Sequence, residues 1–142
     1  TEPCAIGAFS AALAHRNARR SVAAIDERRR VASKLAASIE EASPVSAPQP
    51  VGGPDQASFL RLPVIAGRGM AARLAAEGPR LGIQSGYPEA LHRLPAAQPA
   101  ILPGHDDLPG SVELSTSVFT LPTHRWIGTR EVEALEQLLR TG

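Results

Sequence analysis

The sequence predicts an α+β fold: a long N-terminal helix, then a small three-stranded antiparallel sheet packed with two or more helices. Three observations predict it. From Pro3 to about Ala42, apolar residues recur at helical spacing, with no further proline and Gly7 as the only glycine. Short aliphatic and β-branched runs follow at Phe59 to Ile65, Gly82 to Gly86 and Val112 to Pro122. The chain then closes on an amphipathic segment that starts at Thr129. Three short strands and about three helices make a small α+β unit.

Each element has a local reason. Pro3 suits the first turn of a helix, where its missing N–H costs little. Ile6, Phe9 and Leu13, then Val22, Ile25, Ala32, Leu35 and Ile39, keep the helical period. They form one helix, or two with a break near Asn17 to Ser21. Asp26, Glu27, Arg28 and Arg30 occupy its wetter sides. Residues 43–57 hold Pro44, Pro48, Pro50 and Pro54 beside Gly52 and Gly53, which neither a helix nor a central strand tolerates. In the strand Phe59 to Ile65, alternation puts Leu60, Leu62 and Val64 on one face, and Pro63 argues for an edge position or a bulge. The stretch after Gly67 reads as a helix with Met70, Leu74 and Leu81 on one side, stopped or kinked by Gly78-Pro79. Gly82 to Gly86 is a second short strand. Pro88, Pro95, Pro99, Pro103 and Pro109 keep the next stretch irregular. Val112 to Pro122 is the third strand. Thr129 caps the last helix, Glu131 and Glu133 lie near its positive end, and Arg140 lies near its negative end. Val132, Leu135, Leu138 and Leu139 form its buried stripe. The organisation is thus a helical segment over 1–42, a Pro/Gly-rich linker over 43–57 and a small C-terminal α+β domain over 58–142.

Composition excludes several classes. In 142 residues, 43% are hydrophobic and 20% charged, with a formal net charge of +1, as in a soluble globular chain. Cys4 is the sole cysteine, so no internal disulfide forms, and a reducing, cytoplasmic setting is expected. No apolar run approaches the ~18 residues that cross a bilayer, and no leader resembles a signal peptide. Arg19-Arg20 and Arg28-Arg29-Arg30 invite a nucleic-acid reading, but Asp26 and Glu27 interrupt the charge and aromatics are only 4% of the chain. A solvated or interdomain helix face fits them better, and no nucleic-acid partner is expected.

The residues hold few motifs. Gly67-Arg68-Gly69 is too short for a phosphate loop. No C-x-x-C pair, H-E-x-x-H or G-x-S-x-G is present. His105-Asp106-Asp107 reads as a solvated loop rather than a metal site. Tyr87, the only tyrosine, is either an aromatic packed beside a turn or a phenol directed at a ligand. His124 follows Leu121-Pro122-Thr123, where a strand ends. It is either structural or ligand-facing, and loops beyond strand ends are where sites are built.

Several pieces together resemble one family. Residues 3–35, with Arg29-Arg30-Val31-Ala32-Ser33-Lys34-Leu35, resemble the helix that follows the large domain in the DegT–DnrJ–StrS sugar aminotransferases. "LRLPVIA", an amphipathic helix and "LGIQSGYPEALHRLP" resemble the family's next run, and "FTLPTHRWIGTREVEALEQLL" is similar to its closing turn and helix. The order is also the family's. The resemblance implies a fold-type-I enzyme, active as a homodimer, that uses pyridoxal phosphate to move an amino group from an amino-acid donor onto a keto-sugar nucleotide. It implies that Tyr87 and His124 face the substrate side of the cleft. The departure is equally clear. Lys34, the only lysine, lies inside the helical pattern, in surroundings unlike the family's cofactor lysine. The chain therefore resembles the C-terminal portion alone, with no catalytic or cofactor-binding residue of its own, no cofactor expected on it, and the large domain as its missing partner. A free-standing binding or interaction module without chemistry is the other expectation.

Overall fold

The computed structural model describes residues 7–40, 44–102, 104 and 108–140. Pro3, Cys4 and His105-Asp106-Asp107 lie outside the described residues. The first helix, α1 (Ala8–Glu40), is one unbroken element of 33 residues, about 50 Å long at 1.5 Å per residue. Of the two alternatives, one helix or two, the single helix is the one found, with no break near Asn17 to Ser21. Ser21 donates its hydroxyl hydrogen bond to the Asn17 carbonyl one turn back, at 2.9 Å, and so stays inside the helix. Val31, Ala32, Leu35, Ser38 and Ile39 are buried, at the spacing of one face. The side chains of residues 7–18 and 20–23 are all exposed.

The sheet has four antiparallel strands rather than three: β1 (Val45–Ser46), β2 (Arg61–Ala66), β3 (Gln84–Ser85) and β4 (Val118–Pro122), in the order β1-β2-β4-β3. The extra strand, β1, lies inside the Pro/Gly-rich linker and pairs only Val45 with Ala66 and Ser46 with Ile65. Both edge strands are two residues long, which leaves little open ladder for another chain to join. Pro63 lies on an inner strand, but β1 stops at Ile65, so no neighbour needs its N–H on that side. Pro63 faces Thr120 and Pro122 faces Arg61. These pairs have the same parity, and prolines fit a ladder only where no donor is required.

Leu62, Val64 and Ala66 of β2 are buried on one face with Phe119 and Leu121 of β4. Leu60 does not join them. It precedes β2 and is 70% exposed, because Phe59 turns the backbone with φ 42 just before the strand. The same core takes Met70 and Leu74 from α2 (Arg68–Glu77) and Val132, Leu135, Leu138 and Leu139 from α4 (Thr129–Arg140), together with the last third of α1. Gly78 ends α2, and the chain continues as one 3-10 turn to Leu81, which packs against the core.

Two local expectations are corrected. Residues 109–117 form a helix, α3 (Pro109–Ser117), not the start of a strand. Pro109 sits at its first turn, and the hydroxyls of Ser115, Thr116 and Ser117 are satisfied by the Val112 and Glu113 carbonyls of the same helix. Thr129 is the first residue of α4 rather than its cap. Gly128 holds the cap position: its carbonyl accepts from Val132 N–H at 3.1 Å, and its own N–H donates to Glu131 at 3.0 Å.

Candidate functional site

The turn between β4 and α4 builds one candidate site. Pro122 closes the strand, and buried Thr123 donates its hydroxyl to the Phe59 carbonyl. Ile127 N–H then bonds to the His124 carbonyl at 3.0 Å. This tight turn leaves His124, Arg125 and Trp126 exposed. They face α1 across a recess of about 350 Å³, whose far wall carries Asn17, Arg20, Ser21, Ala24 and Arg28. The guanidinium of Arg125 lies 4.3 Å from the Trp126 ring centre, a cation–π contact. No carboxylate is among the residues that line this recess.

Tyr87 lies elsewhere. Gly86 N–H extends the β3–β4 pairing by bonding to the Val118 carbonyl at 2.8 Å, and the chain then leaves the sheet. Tyr87 is 65% exposed. It borders a largely apolar groove of about 280 Å³ with Leu91, Leu114 and Val118. The structure therefore places Tyr87 and His124 on different recesses and does not bring them together in one.

His92, not singled out from the sequence, lies on the short 3-10 turn Leu91–Arg93. It is 8% exposed, and its Nδ1 is the buried side-chain polar atom without a hydrogen-bond partner among the described residues. Its carbonyl is engaged by Gln98 Nε2. A buried polar atom left unpaired costs about 1–3 kcal/mol. The signal available in sequence was slight: a histidine between Leu91 and Arg93 in a proline-punctuated stretch.

A further recess of about 680 Å³ lies between the start of α2 and α3 and carries Arg68, Arg93 and Glu113. Among the described residues no group of three His, Cys, Asp or Glu side chains could hold a metal. The residues present do not fit pyridoxal phosphate either. A Schiff base needs a lysine in a pocket, and Lys34 is exposed on α1 and lines none of these recesses.

No protein-family model and no curated protein matches the chain. Solved structures do. A DegT DnrJ EryC1 StrS aminotransferase from Brucella abortus superposes with a TM-score of 0.64 at 22% identity, over 82% of this chain and 30% of that one. The aminotransferase TlmJ from Streptoalloteichus hindustanus gives 0.66 at 23% identity, over 92% of this chain and 35% of that one. The chain thus shares its fold with these proteins and spans about a third of their length, 30% and 35% respectively.

Proposed function

We propose that the chain is the C-terminal portion of a pyridoxal-phosphate aminotransferase that transfers an amino group to a keto-sugar nucleotide. In this reading it supplies the interdomain helix, part of a homodimer and the substrate side of the cleft, and a large domain supplies the lysine. The observation that carries the reading is the agreement in fold, over 82% and 92% of the chain, with segments of two aminotransferases. The exposed first half of α1 supports it: Phe9 is 81% exposed and Leu13 and Val22 are also uncovered, and a large-domain surface would bury them. Tyr87 and His124, on separate recesses, are the candidate substrate contacts. Lys34 has no part in the chemistry.

A second reading, a free-standing binding module, draws support from the core. Every member of the buried apolar cluster lies at or beyond Val31, so the folded unit closes without the first half of α1. Co-expression separates the two. The aminotransferase reading expects the chain to co-purify with a large domain encoded upstream of Thr1. A coding sequence without such a domain, and a stable monomer in its place, would leave the module.

A further inference from the structure

Among the described residues, α3 is the one α-helix that buries none of its side chains. α2 is only one residue longer and buries Met70 and Leu74, and α4 buries Val132 and three leucines. Open space lies on two opposite sides of α3. Val112, Glu113 and Thr116 border the recess of about 680 Å³ toward α2. Ser111, Leu114 and Ser115 border the groove of about 280 Å³ that carries Tyr87. At 3.6 residues per turn these two sets point in opposite directions, so α3 stands as a wall between two recesses. Its side chains do not tie it down. The hydroxyls of Ser115, Thr116 and Ser117 bond to carbonyls of the same helix. Among the described residues, no α3 side chain hydrogen-bonds or ion-pairs with another element. Local propensity does not hold the helix either. Its 9 residues fall below the ~12–15 that an isolated helix needs. Gly110, Val112 and Thr116 are poor helix formers, and Leu108 at the cap position supplies no side-chain bond. The opposite wall of the groove is fixed. Gly86, beside Tyr87, donates its N–H at 2.8 Å to the carbonyl of Val118, the first residue of β4. Val118 also closes α3, its N–H bonding to the Leu114 carbonyl, so the joint between helix and sheet lies beside the segment that carries Tyr87.

We propose that α3 is a movable wall of the Tyr87 groove. It opens as a unit about its junction with Val118 while the sheet and α4 stay folded, and so sets the width of the groove. Elements with few buried apolar contacts occupy the low end of a protein's range of local stabilities. The motion rests on the packing of α3; that the groove admits substrate rests on the aminotransferase reading.

Native-state hydrogen exchange of the chain at rising urea tests the opening. Relative to their intrinsic rates, the amides of Glu113 to Ser117 are expected to exchange about tenfold or more faster than those of Leu135 and Leu139 in α4. They are also expected to show almost no urea dependence, the mark of an opening that exposes little surface. Gly110→Ala introduces a good helix former where a Cβ meets nothing within 4 Å, and it is expected to slow these amides about twofold to fivefold. If α3 exchanges with the urea slope of Leu135 and Leu139, it opens only with the whole fold and the proposal is overturned. An unchanged rate in Gly110→Ala overturns it too, because the exchange is then not helix opening. Relaxation dispersion tests the effect on the groove. The Leu114 methyls and the Tyr87 ring are expected to share one exchange process, which Gly110→Ala reduces at both. No exchange at Tyr87, with or without exchange at Leu114, overturns the role of α3 in the groove. These readouts need no cofactor, so their failure leaves the aminotransferase reading untouched, and failure of that reading leaves them in place.

Discussion

The hydroxyl of Thr123, at the end of β4, donates to the carbonyl of Phe59, which enters β2 with a positive φ of 42. A non-glycine residue in that region is strained by ~1–3 kcal/mol and persists only where its surroundings hold it. Thr123 is fully buried and is that hold. It ties the turn that displays His124 to the turn that starts the central strand. Thr123→Val keeps the volume and removes the donor. We expect it to destabilise the chain by about 1–3 kcal/mol in urea denaturation, and Thr123→Ser to cost less. Equal stability of all three proteins would show that the hydroxyl holds nothing.

Arg61 joins three strands on the sheet face opposite the core. Its Nε donates to Thr120 Oγ1 at 2.7 Å, and its Nη2 donates to the Thr120 carbonyl at 2.8 Å and to the Gly82 carbonyl beside β3. Partial burial pushes its pKa below the usual arginine value, and these neutral acceptors hold it. Lysine cannot reproduce the planar fork. Arg61→Lys is expected to cost about 1 kcal/mol in the same denaturation assay and to raise hydrogen exchange at Gln84 and Ser85. Unchanged exchange there would contradict the bridging role.

Gly78 ends α2 because nothing larger fits. A Cβ at that position would stand 2.8 Å from Ile83 Cβ. Helix propensity favours alanine over glycine by about 1 kcal/mol, while overpacking costs about 1–3 kcal/mol, so the clash should win. Gly78→Ala is expected to lower the melting temperature, and Ile83→Val, which keeps the crowding Cβ, to restore none of it; an unchanged melting temperature in Gly78→Ala would show that Ile83 gives way.

The exposed Glu27–Arg30 pair on α1 has a pH signature. The hydrogen bond from Arg30 holds the Glu27 carboxyl below its usual pKa. A depressed folded-state pKa contributes stability above the unfolded-state value, and that contribution is lost as pH falls through the folded value. In an NMR titration, Arg30→Gln should move the Glu27 midpoint up toward the ordinary glutamate range. No movement would mean that the pair is not formed.

Legibility in the sequence followed burial. The α4 stripe and the Met70–Leu74 face could be read because one period ran through a single buried surface. So could the Leu62–Val64 alternation. Leu60 broke the pattern because it lies outside β2, in the bend that follows the positive φ of Phe59, which alternation does not reveal. In α3 the β-branched residues suggested a strand, and the helix buries none of its residues, so no apolar period marked it. β1 escaped notice because two paired residues among prolines leave no pattern. Tyr87 and His124 were visible as candidates because they are isolated polar residues at strand ends. The arginine recess was not, because it forms only when α1 and the distant β4–α4 turn meet. His92 was hidden because a buried unpaired nitrogen is a property of packing.

The central claim is that the amine which grips the coenzyme lies outside this polypeptide. The most direct measurement is the absorbance of pyridoxal phosphate mixed with the chain, and with the product of the whole gene, followed by addition of an amino donor. The account predicts an imine band and turnover only for the whole product, and an unchanged result when Lys34 is replaced by arginine in it. An imine band with turnover from the chain alone, lost in Lys34→Arg, would contradict it.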